Sequence, residues 1–95
     1  VKKRAHLEVS GRVQGVCFRF ETVEQAERLG LVGWVRNTTG GNVAIVAEGE
    51  EKDLSDLAEW CHKGPSMAQV TNVSLDFSEA TGEFRTFTIR YTVAD

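Results

Sequence analysis

The stretch Ala5–Phe20, AHLEVSGRVQGVCFRF, changes its period halfway along. Ala5, Leu7 and Val9 alternate with His6, Glu8, Ser10 and Arg12, the period-2 pattern of a strand with one buried and one solvated face. From about Phe20 the spacing lengthens. Val23, Ala26 and Leu29 recur at helical intervals, Glu21, Glu24 and Glu27 point outward, and the acidic first turn suits the helix dipole. Gly30 supplies a stop. Strand therefore passes to helix through Gly11–Arg19, a segment holding two glycines, two arginines and a cysteine.

Outward from this unit the pattern repeats. Leu31 to Arg36 and Asn42 to Glu48 are β-rich runs separated by Asn37–Asn42, whose adjacent glycines permit the positive φ of a tight hairpin. Glu50 to His62 places Leu54, Leu57, Ala58 and Cys61 at i, i+3, i+4 and i+7, starts with acidic residues and closes on His62, Lys63, Gly64 and Pro65, which predicts a second helix. Two further alternating runs, Val73 to Phe77 and Phe87 to Tyr91, flank a turn at Ala80–Gly82 and are expected to pair as a hairpin.

The order is thus βαββαβ with a short extra C-terminal strand. This predicts an α+β fold, a ferredoxin-like split βαββαβ sandwich: an antiparallel sheet with both helices on one face and the other face wet. Right-handed crossovers bring the ends of the first two parallel strands to the same edge, so the Gly11–Arg19 loop should lie near Asn37. Residues 1–95 are expected to form a single domain, since one core is all that 95 residues with 41% apolar content support.

Composition narrows the function. The longest apolar windows, such as Val43 to Ala47, are far below the roughly 20 residues of a membrane helix, and no secretory apolar stretch follows Lys2–Arg4. A soluble, cytoplasmic, monomeric protein is expected. The net charge of −3 divides unevenly, with +4 over residues 1–19 and −7 over the remainder. That balance disfavours nucleic acid and leaves room for a small anion beside the N-terminal segment. Cys17 and Cys61 lack any zinc-type spacing. The acidic stretch Glu48 to Glu59 has no EF-hand pattern and reads as a solvated helix face. No metal site is expected.

Gly15 lets the backbone curl, and a loop feeding a helix leaves several amides unpaired and aimed the same way, as a tetrahedral oxyanion requires. Arg19 adds a fixed bidentate fork. An ordinary strand-to-helix turn with an incidental arginine satisfies the same spacing. Sharper alternatives fail on counting: there is no GxxxxGK[ST], no third glycine of a dinucleotide fingerprint, and only Phe18 separates Cys17 from Arg19, too little for a phosphatase loop built on a cysteine nucleophile. His6 lies on the polar phase of a strand and His62 at a helix end, so neither is assigned to catalysis. Trp34 and Trp60 read as packing residues.

The segment Gly11–Arg19 closely resembles the acylphosphatase family. The likeness continues through Leu29–Asn37 (LGLVGWVRN), Gly41–Val43, Ala47–Gly49, Gly64–Pro65, Ala68–Val70 and Phe87–Tyr91, in order and over nearly the whole chain. The resemblance implies hydrolysis of a carboxylic–phosphoric anhydride, with an acyl phosphate as substrate, inorganic phosphate as product, and no metal or other cofactor. It also implies that Arg19 and Asn37 are catalytic. Gln14, Gly15, Val16, Cys17, Phe18 and Arg19 would form the phosphate-binding loop, and Asn37 would hold the attacking water. The alternative on the same fold is a non-enzymatic small-anion-binding or regulatory module. A single-strand RNA binder is a weaker rival, because the first strand exposes His6, Glu8 and Ser10 in place of aromatics.

The chain departs from the family pattern at two points. Cys17 stands where glycine or an aromatic residue is frequent, and Gly40 stands where aspartate is frequent. Gly40 is expected to loosen the turn after Asn37, and a Cys17–Cys61 disulfide stays open, since its geometry is not readable from sequence.

Overall fold

The computed structural model describes residues 1–91. Seven elements follow in the order β1 (Lys2–Arg12), α1 (Phe18–Arg28), β2 (Val32–Asn37), β3 (Val43–Glu50), α2 (Glu51–Lys63), β4 (Gln69–Glu79) and β5 (Phe87–Arg90). The sheet order is β4-β1-β3-β2-β5. The first four strands in sequence pair antiparallel, Leu7 lying opposite Ile45 and Leu75, and Val35 opposite Ile45.

Alternation in β1 does what its sequence predicts. Ala5, Leu7 and Val9 are fully buried on the same face as Val43, Ile45 and Ala47 of β3 and Val35 of β2. That face meets both helices. In α2 the buried residues are Leu54, Leu57, Ala58 and Cys61, the expected stripe. In α1 they are Phe18, Thr22 and Ala26, so Thr22 takes an inward position that the sequence suggests for Val23, which is only partly buried. The Thr22 hydroxyl donates to the Phe18 carbonyl at 2.7 Å, which removes the cost of burying it.

Two expectations are corrected. The sheet is mixed, because β5 runs parallel to β2, with Val35 opposite Ile89. Hence β4 and β5 form no hairpin: they are the two opposite edges of the sheet. Residues 80–86 carry the chain across, and the physical reason is a buried carboxylate. Glu48 of β3, only 4% exposed, accepts from the Arg4 Nε at 2.8 Å, from the Thr81 and Gly82 amides at 3.0 Å each, and from the Thr81 hydroxyl at 3.1 Å. The Gly33 amide then donates to the Thr86 carbonyl at 2.9 Å, delivering β5 to its place beside β2. Glu48 is thus a strand-end clamp and not part of a solvated helix face.

The second face is also less wet than expected over β3, where Ala44 and Val46 are buried. Trp34 stands across from Val46, flanked by the Arg36 and Arg90 guanidinium carbons at 5.4 and 4.6 Å from its ring centroid. No helix is long and apolar enough to cross a membrane among the described residues.

Candidate active site

The loop between β1 and α1 turns sharply because two of its residues are left-handed, Gly15 at φ 77° and Cys17 at φ 64°. Glycine takes that conformation freely; cysteine does so at a cost of about 1–2 kcal/mol. The reward is the orientation of α1. Cys17 is its N-cap residue, and its carbonyl receives the first helical bond, from the Glu21 amide at 3.1 Å. The amides of Phe18, Arg19 and Phe20 lie ahead of that bond and have no carbonyl one turn back to receive them. No side chain caps this end of the helix, so none competes for the amides.

A cavity of about 250 Å³ opens here, lined by Val13, Gly15, Cys17, Phe18, Arg19, Phe20 and Asn37. Loop and β2 end meet as expected for two parallel strands separated by β3. Gln14 fastens the junction: its side-chain amide donates to the Thr38 carbonyl at 2.9 Å and the Asn42 carbonyl at 2.8 Å. The turn after Asn37 is closed in its turn by the Thr38 amide on the Asn42 carbonyl (2.9 Å), the Asn42 amide on the Thr38 hydroxyl (3.1 Å), and the Asn42 side chain on Glu8 (2.6 Å). Gly41, and not Gly40, carries the positive φ of this turn.

Of the residues named from the sequence, Gly15, Cys17, Phe18, Arg19 and Asn37 surround the one cavity. Gln14 and Val16 lie outside its lining, Gln14 with its side chain committed to the β2–β3 turn. Arg19 projects from the first turn of α1, with its guanidinium carbon 5.4 Å from the centroid of the Tyr91 ring. The Asn37 side-chain oxygen is buried and has no hydrogen-bond partner among the described residues. A buried carbonyl without a donor is costly, and here its residue lines the cavity that also takes Arg19.

Phe18 anchors the cradle from below. Its ring is almost fully buried, tilted against Trp60 at 5.4 Å between centroids, and pressed by the backbone of Gly64 at the end of α2. Pattern reading of the sequence missed both the anchoring and the stapling role of Gln14; only the packing of α2 against α1 reveals the first. Cys17 and Cys61 are both free thiols, Cys17 exposed and Cys61 buried. Burial pushes the Cys61 thiol up to about 12, so it stays protonated and inert. No three His, Cys, Asp or Glu side chains gather in a way that would hold a metal ion among the described residues.

The α+β sandwich thus brings the first-turn amides of its first helix, one guanidinium and an unsatisfied amide oxygen to one small cavity, and amides and guanidinium are donors of the kind a tetrahedral oxyanion accepts from. The comparisons with known proteins show the family. The acylphosphatase family profile matches residues 5–89. An acylphosphatase of Geobacter sulfurreducens is 50% identical over 91 residues, covering 96% of this chain and all of the relative, and one of Marinobacter nauticus is 54% identical over 84 residues, 88% of this chain and 91% of that relative. The crystal structure of an acylphosphatase from Bacillus subtilis superposes with a TM-score of 0.90 at 36% identity, covering 94% of this chain and 99% of that one. The chain belongs to the acylphosphatase family. It is an enzyme that hydrolyses acyl phosphates to a carboxylate and inorganic phosphate.

Proposed function

We propose that the cavity at the start of α1 is where this hydrolysis occurs, with Arg19 and the loop amides holding the phosphoryl group and Asn37 placing the water. The observation that carries the reading is the convergence of Arg19, the first-turn amides of α1 and the unpartnered Asn37 oxygen on one cavity. Its volume of about 250 Å³ is several times the ~30 Å³ share of a water molecule, room for a phosphoryl group with a water beside it.

Little catalytic equipment is required. The leaving carboxylate is the conjugate base of an acid with a pKa of about 4, so it departs without a general acid. Phosphoryl transfer then depends on positioning and on charge stabilisation at the equatorial oxygens. Arg19 supplies a permanent positive charge, and the helix amides supply fixed dipoles. Asn37 accepts a hydrogen bond from the water through its side-chain oxygen, orienting the lone pair toward phosphorus. It takes no proton. The substrate's own phosphoryl oxygen receives the proton as the P–O bond to water forms and the P–O bond to the acyl group breaks, so no metal and no protein base is called on. The two free thiols fit a reducing compartment, and the cytoplasm is the location we assign.

The test is hydrolysis of benzoyl phosphate in the presence of a chelator by wild type, Arg19→Ala and Asn37→Ala. Activity of the wild type should survive chelation. Each variant should lose roughly 100-fold or more in kcat, the loss that follows removal of one transition-state stabiliser. Inhibition by inorganic phosphate should persist in Asn37→Ala and weaken in Arg19→Ala. Full activity in either well-folded variant would remove that residue from the mechanism.

A further inference from the structure

A second, larger cavity adjoins the first. It is a groove of about 540 Å³ between α1 and the edge strand β5, lined by Phe20, Val23, Glu24, Phe87, Thr88, Ile89 and Tyr91. The two spaces are neighbours across Phe20, which lines both. They also meet through Tyr91, whose ring faces the Arg19 guanidinium. Phe20 is 60% exposed and Tyr91 69% exposed. Two aromatic rings held in water on either side of an apolar trough leave surface that gains by being covered, and both stand where the cradle opens.

We propose that this groove receives the acyl substituent of the substrate, and that the enzyme favours acyl phosphates with an apolar, uncharged acyl group of aromatic or medium aliphatic size. The proposal rests on the reading that the phosphoryl group sits in the α1 cradle. In an acyl phosphate the carbonyl carbon is one oxygen from phosphorus, so with the phosphoryl group fixed the substituent starts at the mouth of the cradle. The apolar surface that continues from there is the α1–β5 groove. Val23, Phe87 and Ile89 supply its floor and walls, Phe20 and Tyr91 its flanks. Glu24 stands among them as the acidic lining residue, and its carboxylate opposes an acyl group that carries a second anionic charge.

The experiment compares kcat/KM for benzoyl phosphate and acetyl phosphate in wild type, Phe20→Ala and Ile89→Thr, with far-UV circular dichroism confirming the fold of each. The benzoyl-to-acetyl ratio should fall by roughly fivefold or more in each variant, as expected when apolar contact to a substituent is lost. In Ile89→Thr the inhibition constant of inorganic phosphate should stay within about twofold, since that side chain lies outside the cradle lining. A second comparison uses butanoyl phosphate and succinyl phosphate, of similar length but differing by a terminal carboxylate. Wild type should prefer the butanoyl compound, and Glu24→Gln should narrow that preference several-fold.

An unchanged benzoyl-to-acetyl ratio in both groove variants would overturn the proposal, as would a concentration-dependent dimer in light scattering that Ile89→Thr abolishes, which would give the groove to a second copy of the chain. These outcomes are separable from failure of the cradle. If Arg19→Ala and Asn37→Ala lose activity while the ratio holds, only the groove assignment falls; if both retain activity, the cradle assignment falls first.

Discussion

Cys17 is the only non-glycine residue with positive φ among the described residues, and it sits at the N-cap of the helix that supplies the site. Its side chain is small, unbranched and exposed, so the left-handed conformation costs it less than it would a β-branched residue. Cys17→Val is expected to destabilise the protein by about 1–2 kcal/mol in urea denaturation, because valine crowds the following carbonyl in that region. Unchanged stability would show that the loop is not held in this conformation in solution. The neighbouring Gly15 needs φ 77° but has open space where a Cβ would stand, so at that position the constraint is the backbone itself. Asn37 illustrates the limits of reading a residue in isolation. Beside a glycine pair it has the signature of a turn residue, and only the family resemblance singles it out before the buried oxygen is seen in place.

At the scale of elements, the cradle is held by pieces distant in sequence. The β1–α1 loop is stapled to the β2–β3 turn by Gln14, and α1 is pinned to the end of α2 through Phe18, Trp60 and Gly64. A Cβ built on Gly64 would come within 2.5 Å of the Phe18 ring, and φ there is 64°. Gly64→Ala is therefore expected to cost about 1–3 kcal/mol of stability, from overpacking and an alanine held at positive φ together. Because Phe18 belongs to the cradle, kcat/KM should fall in the same variant; lost stability with unaltered kinetics would mean that the ring moves without carrying the amides with it. Helix α2 was legible in detail from its apolar stripe and closing Gly-Pro. The inward turn of Thr22 was not, because a hydroxyl satisfied by its own helix leaves no mark in hydrophobic periodicity.

Across the whole molecule the decisive interaction lies at the end of the sheet opposite the cradle. Burial alone would raise the Glu48 carboxyl, but hydrogen bonds from the Thr81 and Gly82 amides, Arg4 and the Thr81 hydroxyl more than reverse this and hold it down to about 2. A carboxylate depressed in the folded state stabilises fully above its unfolded value near 4.5, and that contribution is lost as the pH falls from there toward 2. Acid titration of folding stability should thus show a loss on the order of 3 kcal/mol across that window. Glu48→Gln should flatten this part of the profile and lower stability at neutral pH. An unaltered acid profile would show that the clamp contributes nothing to folding. Since the clamped segment delivers β5, the end of the sheet remote from the cradle also shapes the groove beside it.

The amino-acid sequence by itself determined the seven elements and their type, the inward faces of β1 and α2, and, through the family motif, the chemistry to expect and the two residues assigned to it. Local propensity and periodicity are properties of neighbouring residues, and they survive being read along one dimension. Tertiary structure decided what depends on partners far along the chain. It set β4 and β5 on opposite edges, because a buried carboxylate on β3 needs the 81–82 amides. It turned Gln14 from a lining residue into a staple, because the carbonyls of Thr38 and Asn42 lie within its reach. And it placed an apolar groove beside the cavity that Arg19 and Asn37 line, because β5, arriving parallel to β2, leaves Phe87 and Ile89 facing the side of α1 that carries Phe20 and Val23.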